Sequence, residues 1–108
     1  MADLDFDLTV ARDAQGTCRL TLRGELDLGT AERLERALAE AGDDVLLDMR
    51  GLTFMDSSGV RMLLEAAARG TPGLRMLLPD SGDVRVTIDE TGIAPLLPLV
   101  DADAEERS

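Results

Sequence analysis

The run Asp44–Met49, DVLLDM, is apolar without alternation and lies between two stretches whose apolar residues recur every three to four positions. A strand of that composition is covered on more than one side, so it belongs in the middle of a sheet and must be entered from one helix and left through another. Upstream, Ala31, Leu34, Leu38 and Ala41 form one stripe of a helix predicted over Thr30–Ala41, with Glu32, Arg33, Glu35, Arg36 and Glu40 mostly outside it. Thr30 is placed to cap that helix, Glu32 to favour its first-turn dipole and Gly42 to stop it. Downstream, LTF reads as a connection. Val60, Leu63, Leu64 and Ala67 then mark a second amphipathic helix, closed by Gly70, Thr71, Pro72 and Gly73, with Arg61, Glu65 and Arg69 on its solvated side.

The flanking segments complete a sheet. LDFDLTV alternates strictly through Leu4, Phe6, Leu8 and Val10, and TCRLTLR alternates through Cys18, Leu20 and Leu22. With RDAQG between them as a turn, the two predict a hairpin. LRMLL is a further strand that closes at Pro79. Val84, Val86 and Ile88 alternate like a strand, yet the preceding PDSGD would also cap a helix. The run Ile93–Val100 carries Pro95 and Pro98, which restrict any strand there to a sheet edge. The order strand, strand, helix, strand, helix, strand implies right-handed crossovers: an α/β fold with a mixed sheet, helices packed mainly on one face, and the other face open to solvent.

A chain of 108 residues has room for one core, and a single domain over 1–108 is expected, with the acidic tail 101–108 frayed. No secretory leader or run of about 20 apolar residues is present, so a cytoplasmic protein is expected. Cys18, the lone cysteine, reads as a small buried hydrophobe. The formal net charge of −11 disfavours nucleic acid and anionic membranes as partners. All 11 basic residues are arginine, and histidine is absent too. Ser-His-Asp and Ser-Lys catalysis, Schiff bases, a P-loop lysine and imidazole metal ligation are thereby excluded. The Asp3, Asp5, Asp7 alternation lacks the glycine and glutamate of a calcium loop, where the chain has Leu8 and Ala14. The expectation is a binding protein, with no enzyme activity, cofactor or metal.

The chemistry-bearing stretch is FMDSSGVRMLL, Phe54–Leu64, where an acid, two serines and a glycine stand between an apolar run and a helix. Asp56 and the serines suit the unpaired N–H groups of a helix's first turn; the same helix end also favours an anion such as phosphate. Extending the helical stripe backward places Ser58 nearly opposite the buried side and Ser57 closer to it, although a residue at the cap need not keep helical phase.

GELDLGTAERLERAL together with LDMRGLTFMDSSGVRMLLEAAARG, about twenty residues downstream, resembles the anti-sigma factor antagonists, the single-domain bacterial STAS proteins, and the likeness extends to TGIAPLLPLV. The resemblance implies a sheet with helices on one side, and a partner that is an anti-sigma serine kinase. It also implies phosphorylation at the first serine of DSSG and reversal by a serine phosphatase. Carried onto this chain, Ser57 is the phosphoacceptor, with Ser58 the alternative, and Asp27, Thr30, Asp56, Ser58 and Gly59 lie on the partner-binding surface. Gly59 is expected to keep bulk away from the hydroxyls, and Met62 to be an exposed, adaptable apolar contact. Asp27 and Asp56 read equally as a turn residue and a helix cap. The resemblance also favours a helix over Val84–Thr91. The implied function is a monomeric switch in bacterial stress or sporulation signalling: unphosphorylated, it binds the kinase and frees a sigma factor; phosphorylated, it lets go. The alternative is a non-switching STAS interaction subunit of a larger regulatory assembly.

Overall fold

A computed structural model describes residues 6–101. The elements run β1 (Phe6–Arg12), β2 (Cys18–Leu26), α1 (Leu28–Ala41), β3 (Asp44–Met55), α2 (Ser57–Ala68), β4 (Gly73–Leu77) and α3 (Asp83–Thr91), then a 3₁₀ turn at Ala94–Leu96. The sheet has the order β1-β2-β3-β4, with β1 and β2 antiparallel and the β2–β3 and β3–β4 pairs parallel. This is the mixed sheet that the alternation of strands and helices predicts. Leu4 and the Asp3 and Asp5 of the acidic alternation lie outside the described residues, as does the tail beyond Asp101.

Cys18, Leu20, Leu22, Val45, Leu47, Met49, Leu74 and Met76 point to one face of the sheet, where Leu34 of α1, Leu63 of α2 and Val84 and Ile88 of α3 join them in a single buried cluster. All three helices therefore share that face. On the opposite face Leu46 and Leu77 are buried but stand outside the cluster, among polar neighbours. Asp48, 6 % exposed, accepts from Arg19 at 2.8 Å and from Arg50 Nε and Nη2 at 3.0 and 2.9 Å; Arg75 pairs with Asp44 at 2.7 Å. Burial acts to raise the Asp48 pKa, but the hydrogen bonds from Arg50 and Arg19 outweigh it and hold the carboxyl down from 3.8 to about 2.

One segment differs from the sequence reading and two are made more definite. LTF is not a connection: β3 continues through it to Met55, past register shifts against β2 between Thr21 and Arg23 and between Gly24 and Glu25. Those irregularities break the alternation that would have marked a strand. α3 is helical, as the resemblance favoured, but no side-chain hydrogen bond caps it; its N-cap is Gly82. The proline-bearing segment supplies one parallel bridge at the β4 edge, Leu99 to Met76, with Met76 N–H donating to the Pro98 carbonyl at 2.9 Å and Val100 N–H to the Met76 carbonyl at 3.0 Å. Pro98 acts there only as an acceptor, which is the role its missing N–H leaves it.

Candidate functional site

The parallel pairing of β2 and β3 sets Leu26 beside Met55, so both strands end at the same edge and each passes at once into a helix. The next residues, Asp27 and Asp56, are the N-caps of α1 and α2. Asp27 Oδ1 accepts the Thr30 N–H at 3.1 Å, and the Asp27 N–H donates to Thr30 Oγ1 at 2.9 Å, closing a reciprocal capping box. The Thr30 hydroxyl also donates to the Glu25 carbonyl at 2.9 Å, tying the first turn of α1 back to the end of β2. Thr30 is therefore not the cap. It is the buried third helical residue, and its hydroxyl is committed inside the fold, which removes it from a partner surface. The helix begins at Leu28, so Glu32 falls beyond its first turn.

At the second helix Asp56 Oδ1 accepts the Ser58 N–H at 2.9 Å and the Gly59 N–H at 3.2 Å, while the Asp56 N–H donates to the Leu26 carbonyl at 3.2 Å. Two of the first-turn donors are thus satisfied, and the cap is bolted to the neighbouring strand. Ser57 is the first residue of α2 and exposed; Ser58 is half-buried. This reverses the ranking from helical phase. The fully buried stripe of α2 is Gly59, Met62, Leu63 and Ala66, with Val60, Leu64 and Ala67 only partly buried at its margin. Ser58 shares a face with Met62 four residues on, whereas Ser57 shares one with the exposed Arg61 and Glu65.

The same shift of the stripe corrects two expectations. Met62 is 4 % exposed and belongs to the core; it is not an exposed contact. Gly59 is buried as well, and its role is close approach: a Cβ built there would lie 2.7 Å from Met55 Cγ, 2.8 Å from the Leu26 carbonyl oxygen and 3.1 Å from Leu26 Cγ. It lets α2 start against the end of β2. Of the residues expected at the surface, Asp27, Asp56 and Ser58 remain half-buried and Ser57 exposed. Glu25, Leu28 and Phe54 share this edge but were not singled out from the sequence; Leu28 and Phe54 are large apolar side chains left exposed, and an apolar residue beside an acidic cap was the available signal.

Residues 10–78 match the family model described as "Mlab, STAS domain", and the chain belongs to the STAS domain family. Among solved structures it is similar to an anti-sigma factor antagonist from Mycobacterium paratuberculosis, at 24 % identity over 95 % of this chain and 92 % of that one, with a TM-score of 0.77. It is also similar to the anti-sigma factor antagonist SpoIIAA in its unphosphorylated form, at 23 % identity over 92 % of each chain and a TM-score of 0.70. The phosphorylated form of the Bacillus cell fate determinant SpoIIAA aligns at 22 % identity over 94 % of this chain and 98 % of that one, with a TM-score of 0.62. At these identities the likeness is one of fold. No curated protein matches the chain. Among the described residues no helix is long and apolar enough to cross a membrane, and no group of three or more Cys, Asp or Glu side chains is placed to hold a metal ion.

Proposed function

We propose that the chain is a phosphorylation-switched anti-sigma factor antagonist: unphosphorylated, it binds an anti-sigma serine kinase and releases a sigma factor, and phosphate on Ser57 ends that binding until a serine phosphatase removes it. The observation that carries this reading is that Ser57 is exposed at the start of α2, while its neighbour Ser58 is half-buried on the face that continues to Met62 in the core. A kinase needs such a hydroxyl within reach of its nucleotide, and it brings a carboxylate to accept the hydroxyl proton. The chain is ligand and substrate in this reaction, a cytoplasmic monomer with no catalytic residue of its own.

A second reading is a non-switching interaction subunit of a larger assembly, in which Asp56 and the serines only shape the start of α2. It is supported by the matching family model, whose description names Mlab and not a sigma-factor regulator. One experiment separates the two. The protein is purified from its native host and its intact mass is measured before and after serine phosphatase treatment, with co-purifying chains identified by mass. A phosphatase-sensitive gain of one phosphate and a co-purifying serine kinase support the switch; an unmodified chain held in a stable assembly without a kinase overturns it.

A further inference from the structure

Among the described residues, Val10, Leu28, Phe54, Val86 and Leu96 are the large apolar side chains that stand well exposed. A single exposed leucine or phenylalanine needs no explanation. Leu28 and Phe54 are different because of where the pairing of β2 and β3 puts them. Leu28, 78 % exposed, is the first residue of α1, directly after the cap Asp27. Phe54, 42 % exposed, is paired in register with Glu25 and stands two residues before the cap Asp56. Both therefore lie at the edge that carries Ser57, and the fold asks for neither: Leu28 is absent from the buried cluster and from the partly buried side chains packed on it, and so is Phe54, whose strand neighbour Met55 fills the core position instead.

The charge at this edge is mainly acidic. Glu25 at the end of β2 and the caps Asp27 and Asp56 belong to it, with Arg61 one turn beyond Ser57, on a chain whose net charge is −11. The surface that fits carries an apolar recess for two side chains, ringed by basic groups, beside a nucleotide site. Interfaces gain most of their energy from a few such buried apolar anchors, while peripheral charge mainly sets encounter and orientation.

We propose that Leu28 and Phe54 are the apolar anchors by which the partner kinase holds this chain, an inference that rests on the function proposed above. Anchors remote from the reacting oxygen contribute the same binding before and during phosphate transfer. Their loss raises KM and leaves kcat alone. A residue that instead shaped the site would lower kcat.

The test uses the full chain and the serine kinase that co-purifies with it, with ATP. Leu28→Ser, Phe54→Ser and the conservative Phe54→Leu are compared with Leu96→Ser, an apolar residue in the 3₁₀ turn whose exposure, 65 %, lies between theirs. Steady-state phosphorylation and calorimetric titration are measured on each, with thermal unfolding to confirm the fold. The expected result is a rise of about tenfold in KM and Kd for Leu28→Ser and Phe54→Ser, equivalent to ~1.4 kcal/mol each. kcat stays unchanged, Phe54→Leu recovers most of the loss, and Leu96→Ser behaves as wild type. Unchanged KM and Kd in Leu28→Ser overturn the inference whether or not Phe54→Ser folds, and so does a fall in kcat at constant KM. A wild-type chain that the kinase neither binds nor phosphorylates overturns the function itself, an outcome the wild-type titration shows before any variant is read.

Discussion

Replacing Gly59 by alanine tests whether the start of α2 is held by close approach to β2. The backbone there is helical and not in the left-handed region, so alanine meets no conformational barrier, and by intrinsic preference it favours the helix by up to about 1 kcal/mol over glycine. Against this stand three contacts: the new Cβ would fall 2.7 Å from Met55 Cγ, 2.8 Å from the Leu26 carbonyl oxygen and 3.1 Å from Leu26 Cγ. Met55 can swing away, but the Leu26 oxygen cannot move cheaply, because it accepts the Asp56 N–H at 3.2 Å and belongs to the end of a paired strand. Overpacking of this kind costs about 1–3 kcal/mol. With two of the contacts below 3.0 Å and one of them with a backbone oxygen, the cost falls in the upper part of that range, so after the propensity gain a net loss of about 1–2 kcal/mol is expected, or a fall in melting temperature of roughly 4–15 °C for a domain of this size. Urea unfolding followed by circular dichroism measures it, with an unchanged m-value showing that the native state alone is affected. Because relief requires α2 to lift from β2, phosphorylation of Ser57 should slow as well. A Gly59→Ala variant as stable as wild type, or more so, would refute the argument and leave helix propensity as the only term that matters at this position.

Three further outcomes follow from the same geometry. Asp27→Ala removes one half of the α1 capping box and should cost about 0.5–2 kcal/mol in urea unfolding; a loss of kinase binding with no change in stability would make Asp27 a contact and not a cap. Met62→Ala leaves a cavity in the core and should cost about 2–5 kcal/mol, whereas a change confined to partner affinity would restore Met62 to the interface. Asp48, with its folded pKa lowered to about 2, binds its proton more weakly folded than unfolded, so its stabilising effect is present above about pH 4 and disappears as the pH falls toward 2. That is worth about 2 kcal/mol, and Asp48→Asn should be less stable than wild type at neutral pH and lose less stability between pH 4 and 2; equal pH slopes would refute the paired carboxylate.

What could be read in the sequence was the part that rests on periodicity. The helical period of α1 and α2 and the alternation of the hairpin extend over many residues, as does the continuous apolar run of β3, and burial enforces such patterns, although for α2 the period gave the helix and not its buried side. The site depended on single residues whose roles are set by neighbours distant in sequence. Asp27 and Thr30 are both acceptable caps, and only the end of β2 at Leu26, together with the bond from the Thr30 hydroxyl to the Glu25 carbonyl, decides between them. Gly59 carries no hydrophobic signal, yet it is where α2 comes closest to β2, and that contact rotates the buried stripe toward Met62 and Ala66. Once the stripe is rotated, Met62 goes in, Ser58 follows it partway and Ser57 stays out. The LTF segment was lost for a related reason: a register shift breaks the period that identifies a strand.

On the proposed function, the Ser57 hydroxyl receives phosphate and the phosphate ends binding. Phosphoserine brings about −1.5 to −2 charges to an edge already holding Asp56, while the helix start returns only about 0.3–1 kcal/mol of favourable dipole interaction. A kinase carboxylate about 6 Å away would oppose that charge by roughly 2–3 kcal/mol at an effective dielectric near 40, or about a hundredfold in affinity. The most direct measurement is transfer of radiolabelled phosphate from ATP by the co-purifying kinase to wild type, Ser57→Ala and Ser58→Ala, with calorimetric titration of the same proteins and of Ser57→Asp. Ser57→Ala is expected to take no label yet still bind, Ser58→Ala to be labelled, and Ser57→Asp to bind more weakly than wild type; undiminished labelling of Ser57→Ala, with label lost from Ser58→Ala, would overturn the switch at Ser57 and assign the half-buried hydroxyl as the acceptor.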